Sequence, residues 1–303
     1  MERVWGGRHL ETRFGKALPE DRVIGELWEI VDRPEAQSIV SEGPLGGTTL
    51  HDLWTGARKA VFGARHLANP SPRFPLLVKL LDARERLSVQ VHPPAHRAEE
   101  LSGEPKTECW YFLDAGEGAS VFAGLKEGVT ERDFEQAMES GTVEEKLHGI
   151  PVRTGESIFI PSGRLHAIGK GLVIVEVQQN SDTTYRVFDW NRMGLDGKPR
   201  ELHREESMAS IDFADFEPRI TPASEPVVAD CPHFHVEKKH LHEPLDLSVP
   251  GDFCIVTGLT GEAECTGARL RPGEFLLIPS CLERAVLTPL LANTSVLVTR
   301  LPA

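Results

Sequence analysis

Strongly apolar positions in this chain come in short runs, not in long amphipathic stretches. Residues 74–81, 88–92, 109–113, 157–160, 172–178, 252–257, 275–278 and 295–301 are rich in β-branched or aromatic side chains and bounded by Gly, Pro or Asn. Such runs predict β-strands, and many short strands separated by turn signals predict a sandwich or a barrel. Helical signals are confined to a few places. Thr130 can cap a helix through Met138 that stops at Gly141, with Glu131 and Asp133 in its first turn. Thr142 followed by Glu145 has capping-box spacing for a second short helix ending near Gly149. Residues 52–67 predict a further helical or irregular segment.

One pattern occurs twice. Residues 152–168 read VRTGESIFIPSGRLHAI and residues 270–286 read LRPGEFLLIPSCLERAV. Each has a Gly-Glu turn, four residues of strand, Ile-Pro-Ser and a second strand, which predicts a duplicated β unit. The stretch 213–232, rich in Pro, Ala and acidic residues, reads as the connector. The copies differ five residues past the proline, where the first has His166 and the second Arg284. A metal held by this unit therefore belongs to the first copy alone.

Length and composition narrow the function classes. The 303 residues suffice for two modest β domains. No run reaches the apolar length that spans a bilayer, and the first sixteen residues mix charges with glycines and do not read as a signal peptide. Five cysteines without CxxC spacing suit a reducing, cytoplasmic setting. The formal net charge of −13 argues against nucleic acid or an anionic membrane as partner. An anionic small substrate then requires a local cluster of Lys and Arg.

Candidate chemistry begins at Ser88-Val-Gln-Val-His92. On a strand, Ser88, Gln90 and His92 share one face while Val89 and Val91 share the other. Taken alone, that polar face suits the solvent side of an edge strand. Glu108 follows sixteen residues later and His166 follows the Ile-Pro-Ser turn. Two imidazoles, a carboxylate and the Gln90 carbonyl compose a Zn²⁺ shell with room for water or substrate, and the lack of cysteine favours a catalytic over a structural site. Glu176 lies within an apolar run, where a carboxylate is costly unless paired or functional. Arg186 and Arg192 sit in the polar return segment and read equally well as surface charge. His233, His235, His240 and His242 form a dense group, read as surface histidines, and the tryptophans, Trp110 included, read as packing.

The segments FPLLVKLLDARERLSVQVHPP, PKTECWYFL and GESIFIPSGRLHAIGKGLVIVEVQQNSDTTYRVFDWNR resemble the type I phosphomannose isomerases, most closely their short bacterial form. The resemblance runs from Trp5-Gly-Gly to about Glu206 and weakens beyond. It implies two cupin-type jelly-roll β-barrel domains, a catalytic one over 1–215 with a helical insertion near 130–149 and a degenerate one over 216–303. It implies one zinc per chain on Gln90, His92, Glu108 and His166, and interconversion of mannose-6-phosphate and fructose-6-phosphate. Its catalytic positions fall on Lys106, Glu176 and Arg186, and its phosphate-side positions on Lys79, Ser88 and Arg192. One departure is Pro105 before Lys106, where many short-form relatives have glycine.

Other readings stay open at this point: a non-catalytic metal-binding cupin that senses or binds sugars, an isomerase of another phosphosugar, or an Fe(II) dioxygenase. The Lys106, Glu176 and Arg186 set discriminates, because ligand binding alone does not demand it.

Overall fold

The computed structural model describes residues 1–302. The fold is mainly β, with twenty-two strands and six short α-helices among the described residues. None of these helices is long and apolar enough to cross a membrane. The predicted strands form, several with ends moved by a few residues: Leu76–Ala83, Val89–Val91, Glu108–Ala115, Ser157–Ile160, Leu172–Gln179, Cys254–Thr260, Phe275–Ile278 and Thr294–Arg300. The packing divides the chain into two compact units. The first gathers Met1–Leu27 and Lys79–Ala223, and the second gathers Trp28–Val78 with the residues from Ser224 onward. Residues 28–78, which chain order groups with the first half, thus pack in the second unit.

One five-stranded sheet runs in the order Ser157–Ile160, Glu108–Ala115, Leu172–Gln179, Leu76–Ala83, Glu26–Ile30. The other runs Tyr185–Phe188, Val89–Val91, His166–Ile168, Ser120–Leu125, Leu147–Pro151. Trp110, Ile158 and Ile174 of the first sheet pack against Val121, Ala123 and Ile168 of the second in one buried core. Val89, Val91 and Ala167 point the opposite way, into a core with Phe134 and Met138 of the helix Glu131–Ser140. The valine face of strand Val89–Val91 is therefore covered by that second core. Its polar face turns inward between the sheets, not to solvent as an edge strand would allow.

The second unit repeats the strand order. Phe275–Ile278, Cys254–Thr260, Thr294–Arg300, His235–Leu241 and Val227–Asp230 form its five-stranded sheet, read from the opposite edge. The repeated sequence explains part of this. Gly155 and Gly273 both take positive φ (89° and 76°), which glycine alone adopts without strain. Glu156 and Glu274 each accept a 2.8 Å hydrogen bond from the N–H three residues earlier, at Arg153 and Arg271. In the second copy Arg284 is exposed, and the strand after it starts only at Val286. No sheet closes on itself among the described residues.

Helix Glu131–Ser140 has the predicted ends: Thr130 and Asp133 form a capping box, and Gly141 closes the helix in the left-handed region. The second capping box does not form. Residues Val143–Lys146 make a single 3₁₀ turn without a side-chain cap, because the chain enters strand Leu147–Pro151 at once. Thr142 instead pairs its hydroxyl with that of Ser140 at 2.9 Å. His233, His240 and His242 are exposed, and His235 lies 3.2 Å from Asp230. All five cysteines are free.

Candidate active site

Strand register brings the candidate residues together. In the first sheet Glu108 pairs across with Gln178 and Trp110 with Glu176, so all four side chains share one face. In the second sheet Gln90 pairs with His166 on one side and Arg186 on the other. His92 continues the Gln90 face two residues on. His92, Glu108 and His166 converge with ligand atoms within 4.8 Å of one another, and all three are buried.

Hydrogen bonds set both imidazoles for one task. His92 Nδ1 lies 2.8 Å from Thr183 O, and His166 Nδ1 lies 2.8 Å from Arg164 O. A carbonyl only accepts, so each Nδ1 carries the proton and each Nε2 presents a lone pair. Those lone pairs face the Glu108 carboxylate at 3.5 and 3.6 Å. Lone pair against anion is repulsive in a buried place, and His92 Nε2 has no hydrogen-bond partner. Protonation does not relieve the repulsion. Burial, reinforced by the Lys106 charge, pushes His92 down to about 3, and burial also lowers His166. Glu108 stays ionised: burial opposes its charge, but the Lys106 ammonium, 2.8 Å away, outweighs it. Two neutral imidazoles and a carboxylate whose ligand atoms converge in this way fit a metal cation. Gln90 Nε2 sits 3.2 Å from His166 Nε2, and turning its amide over would put Oε1 at the same place.

Beside this triad runs a line of alternating charges. Lys106 Nζ is 2.8 Å from Glu108 Oε2 and 3.9 Å from Glu176 Oε1. Lys79 Nζ is 3.3 Å from Glu176 Oε1 and 3.9 Å from Glu26 Oε2, and Arg3 binds the other Glu26 oxygen, Oε1, at 2.8 Å. Burial raises the pKa of Glu176 and the Glu108 charge adds to it, while Lys106 and Lys79 oppose the rise. Arg186 is not among the groups that act on Glu176 in this way.

Glu176, Lys79, Lys106, Gln90, Ser88 and Arg186 line one cavity of about 550 Å³, together with Trp5, Glu26, Asp182 and Arg200. This is a volume suited to a small polar molecule. Arg192 does not line it. Its guanidinium is held by Arg86 O at 2.6 Å and Asp189 Oδ1 at 2.7 Å. Arg200 lines the cavity in its stead, gripped by both oxygens of the same Asp189 at 2.5 and 2.6 Å. Arg186 bonds Glu201 O at 2.7 Å and leaves its buried Nε without a partner. Burial and then the Arg200 charge lower its pKa, which marks the two guanidiniums as neighbours. The acidic chain thus carries paired cations at one end of the cavity.

Trp110 is the residue that the sequence reading passed over. Its indole N–H meets Glu108 Oε1 at 3.0 Å and Glu176 Oε2 at 3.2 Å. The signal was available: Trp110 follows Glu108 by two on the same strand and must share its face.

Fold and site together define a two-unit β protein with a candidate metal-binding triad in one unit, beside a cavity lined by charged side chains. Comparison with known proteins narrows this. The type I phosphomannose isomerase catalytic domain matches residues 1–124. A mannose-6-phosphate isomerase of Streptococcus mutans is 36% identical over 93% of this chain and 90% of its own length. The mannose-6-phosphate isomerase ManA of Bacillus subtilis is also 36% identical, over 92% of this chain and 90% of its own. A crystal structure of mannose 6-phosphate isomerase from Bacillus subtilis superposes with a TM-score of 0.87 at 30% identity, covering 99% of this chain and 96% of that one. The chain belongs to the type I mannose-6-phosphate isomerases.

Proposed function

We propose that this chain is a zinc-dependent enzyme that interconverts mannose-6-phosphate and fructose-6-phosphate through an enediolate, in a cytoplasmic setting that suits its five free cysteines. The facing sheets of each unit are read as cupin-type jelly-roll halves, with the metal in the first unit only. The observation that carries this reading is Glu176. It is a buried carboxylate of raised pKa, held between two lysines beside a neutral two-histidine, one-glutamate triad.

Aldose–ketose isomerisation must remove a weakly acidic proton from the carbon next to a carbonyl and return it to the neighbouring carbon. Gln90, His92, Glu108 and His166 would hold the zinc, which when bound stabilises negative charge developing on the substrate oxygens. Glu176 takes the C2 proton of the open-chain aldose, the hydroxyl proton passes from O2 to O1, and the same carboxyl delivers its proton to C1 to complete the ketose. Its raised pKa makes it a stronger base than a solvent-exposed glutamate. Lys106, tied to Glu108 and close to Glu176, supplies positive charge on the oxygen side of the reacting carbons. Arg186, Arg200 and the Ser88 hydroxyl are assigned to the phosphate, because guanidiniums match phosphate geometry in a way a lone ammonium does not.

The test is an isomerase assay on a panel of hexose and pentose phosphates, with metal analysis of the same sample. Turnover of mannose-6-phosphate above the others, with about one zinc per chain, is the expected result. A sample that binds zinc and sugar without turnover would favour a sugar-binding role instead.

A further inference from the structure

We infer that Trp110 is a positioning residue whose single indole N–H sets the metal-holding carboxylate and the proton-transfer carboxylate at a fixed separation. The inference rests on the roles proposed above for Glu108 and Glu176. Trp110 is fully buried, and its N–H lies 3.0 Å from Glu108 Oε1 and 3.2 Å from Glu176 Oε2. A tryptophan N–H can only donate, and here its two acceptors belong to two different carboxylates. Its ring also stands edge-on to His166, with centroids 5.4 Å apart.

Local structure accounts for the arrangement. Glu108 and Trp110 are two apart on one strand, so their side chains project to the same side. Glu176 is the direct cross-strand partner of Trp110. The indole therefore reaches back to one carboxylate along its strand and across to the other. Two carboxylates this close repel in a poorly screened interior. The partial positive charge of the N–H between them reduces that repulsion without supplying a proton. The lysines bind the other oxygens: Lys106 is at Glu108 Oε2, and Lys79 and Lys106 are at Glu176 Oε1. Trp110 thus takes the oxygen of each carboxylate that the lysines leave. Phenylalanine at this position would fill space but present no donor.

The decisive substitution removes the N–H and keeps the shape. Benzothienylalanine, introduced at position 110 by nonsense suppression, replaces the indole N–H with sulfur. Tryptophan introduced by the same route is the control. Four quantities are measured on the full chain: the Kd for Zn²⁺, the visible absorption of the Co²⁺-substituted protein, and kcat and KM for mannose-6-phosphate at saturating metal. Outer-shell hydrogen bonds to metal ligands contribute roughly ten- to a hundredfold in affinity or activity. The expected result is a metal Kd weakened about tenfold, shifted Co²⁺ bands, and a kcat about tenfold lower with KM within about twofold. An unchanged kcat together with an unchanged Co²⁺ spectrum would overturn the inference and leave Trp110 a packing residue, whatever happens to Tm. Metal affinity and the Co²⁺ spectrum do not depend on which sugar is turned over. The inference can therefore fail while the proposed function stands, or stand while that function fails.

Discussion

Lys79 Nζ lies 3.3 Å from Glu176 Oε1, and both side chains are buried. Family resemblance implies a phosphate-side role for Lys79, whereas the geometry makes it a counter-ion of the proposed base. The two roles give different kinetics. Without Lys79, Glu176 loses one of the two cations that oppose its raised pKa, so the pKa climbs further. A base acts deprotonated, so activity appears as pH rises through that pKa. Lys79→Met is expected to move the acid limb of kcat/KM to higher pH and to lower kcat at neutral pH. A raised KM with an unmoved acid limb would return Lys79 to the phosphate.

Chelation tests the triad. With His92 and His166 neutral and Glu108 ionised, no proton has to leave before a metal binds near neutral pH. His92→Ala or His166→Ala is expected to lower metal content and activity together, each to a few per cent or less of the parent. Metal analysis on the same preparations checks this. A second stoichiometric metal, retained at the histidines of the second unit, would contradict a single site.

The two arginines held by Asp189 separate by position. Arg200 lines the cavity, while Arg192 is turned to the Arg86 carbonyl. Arg200→Ala is expected to raise KM for mannose-6-phosphate by roughly tenfold or more, the scale of one charge-assisted contact. Arg192→Ala should change KM far less. Kinetics on both variants decide, and the reverse order would restore the assignment that chain position implies.

Much of this architecture could be read from the chain because its signals are local. Strands such as Ser157–Ile160 and Phe275–Ile278 fall at the residues that alternation and turn signals mark. The duplication shows in two Gly-Glu turns whose glutamates make the same hydrogen bond. Gln90 and Glu176 could be located because each interrupts an apolar strand. What could not be read was partnership across strands. That Lys79 faces Glu176, or that Trp110 bridges two acids, depends on which strands become neighbours, and spacing along the chain does not encode this. Arg192 and Arg200 lie in one polar segment, and only its fold determines which of them reaches the cavity.

Asp32, in the second unit, tests stability apart from catalysis. Its buried carboxylate accepts hydrogen bonds from Gln37 at 2.8 Å, from the Phe74 N–H and from Arg73 at 2.9 Å, with His51 at 3.1 Å. Burial works against its charge, but these donors prevail and its pKa is lowered. A lowered folded-state pKa contributes stability above the unfolded pKa that is lost as pH falls through the folded value. Asp32→Asn is expected to cost about 3 kcal/mol at neutral pH. The gap should begin to narrow below roughly pH 4, where the unfolded chain takes up the proton, and close as pH falls through the lower folded value. Denaturant melts at several pH values measure it, and a gap independent of pH would assign the loss to packing.

The most direct test of mechanism is Glu176→Gln. Glutamine keeps the shape of the side chain and an oxygen for the Trp110 N–H, so the neighbourhood should hold. It cannot take up a proton. Loss of a general base costs about a hundredfold or more, so kcat should fall at least that far. Glu176 lies outside the His92, Glu108 and His166 triad, so metal content should stay near that of the parent. The variant should also stop exchanging the C2 proton of the sugar with solvent, a signal that reports proton removal even when net turnover is slow. Each failure points to a different error. Normal turnover clears Glu176 and moves the base to another group at the cavity, with Lys106, 3.9 Å away, the first to test. Lost metal means that Glu176 takes part in holding it. Slow turnover with continued proton exchange means that the carboxylate acts after the proton has gone, in ring closure or product release.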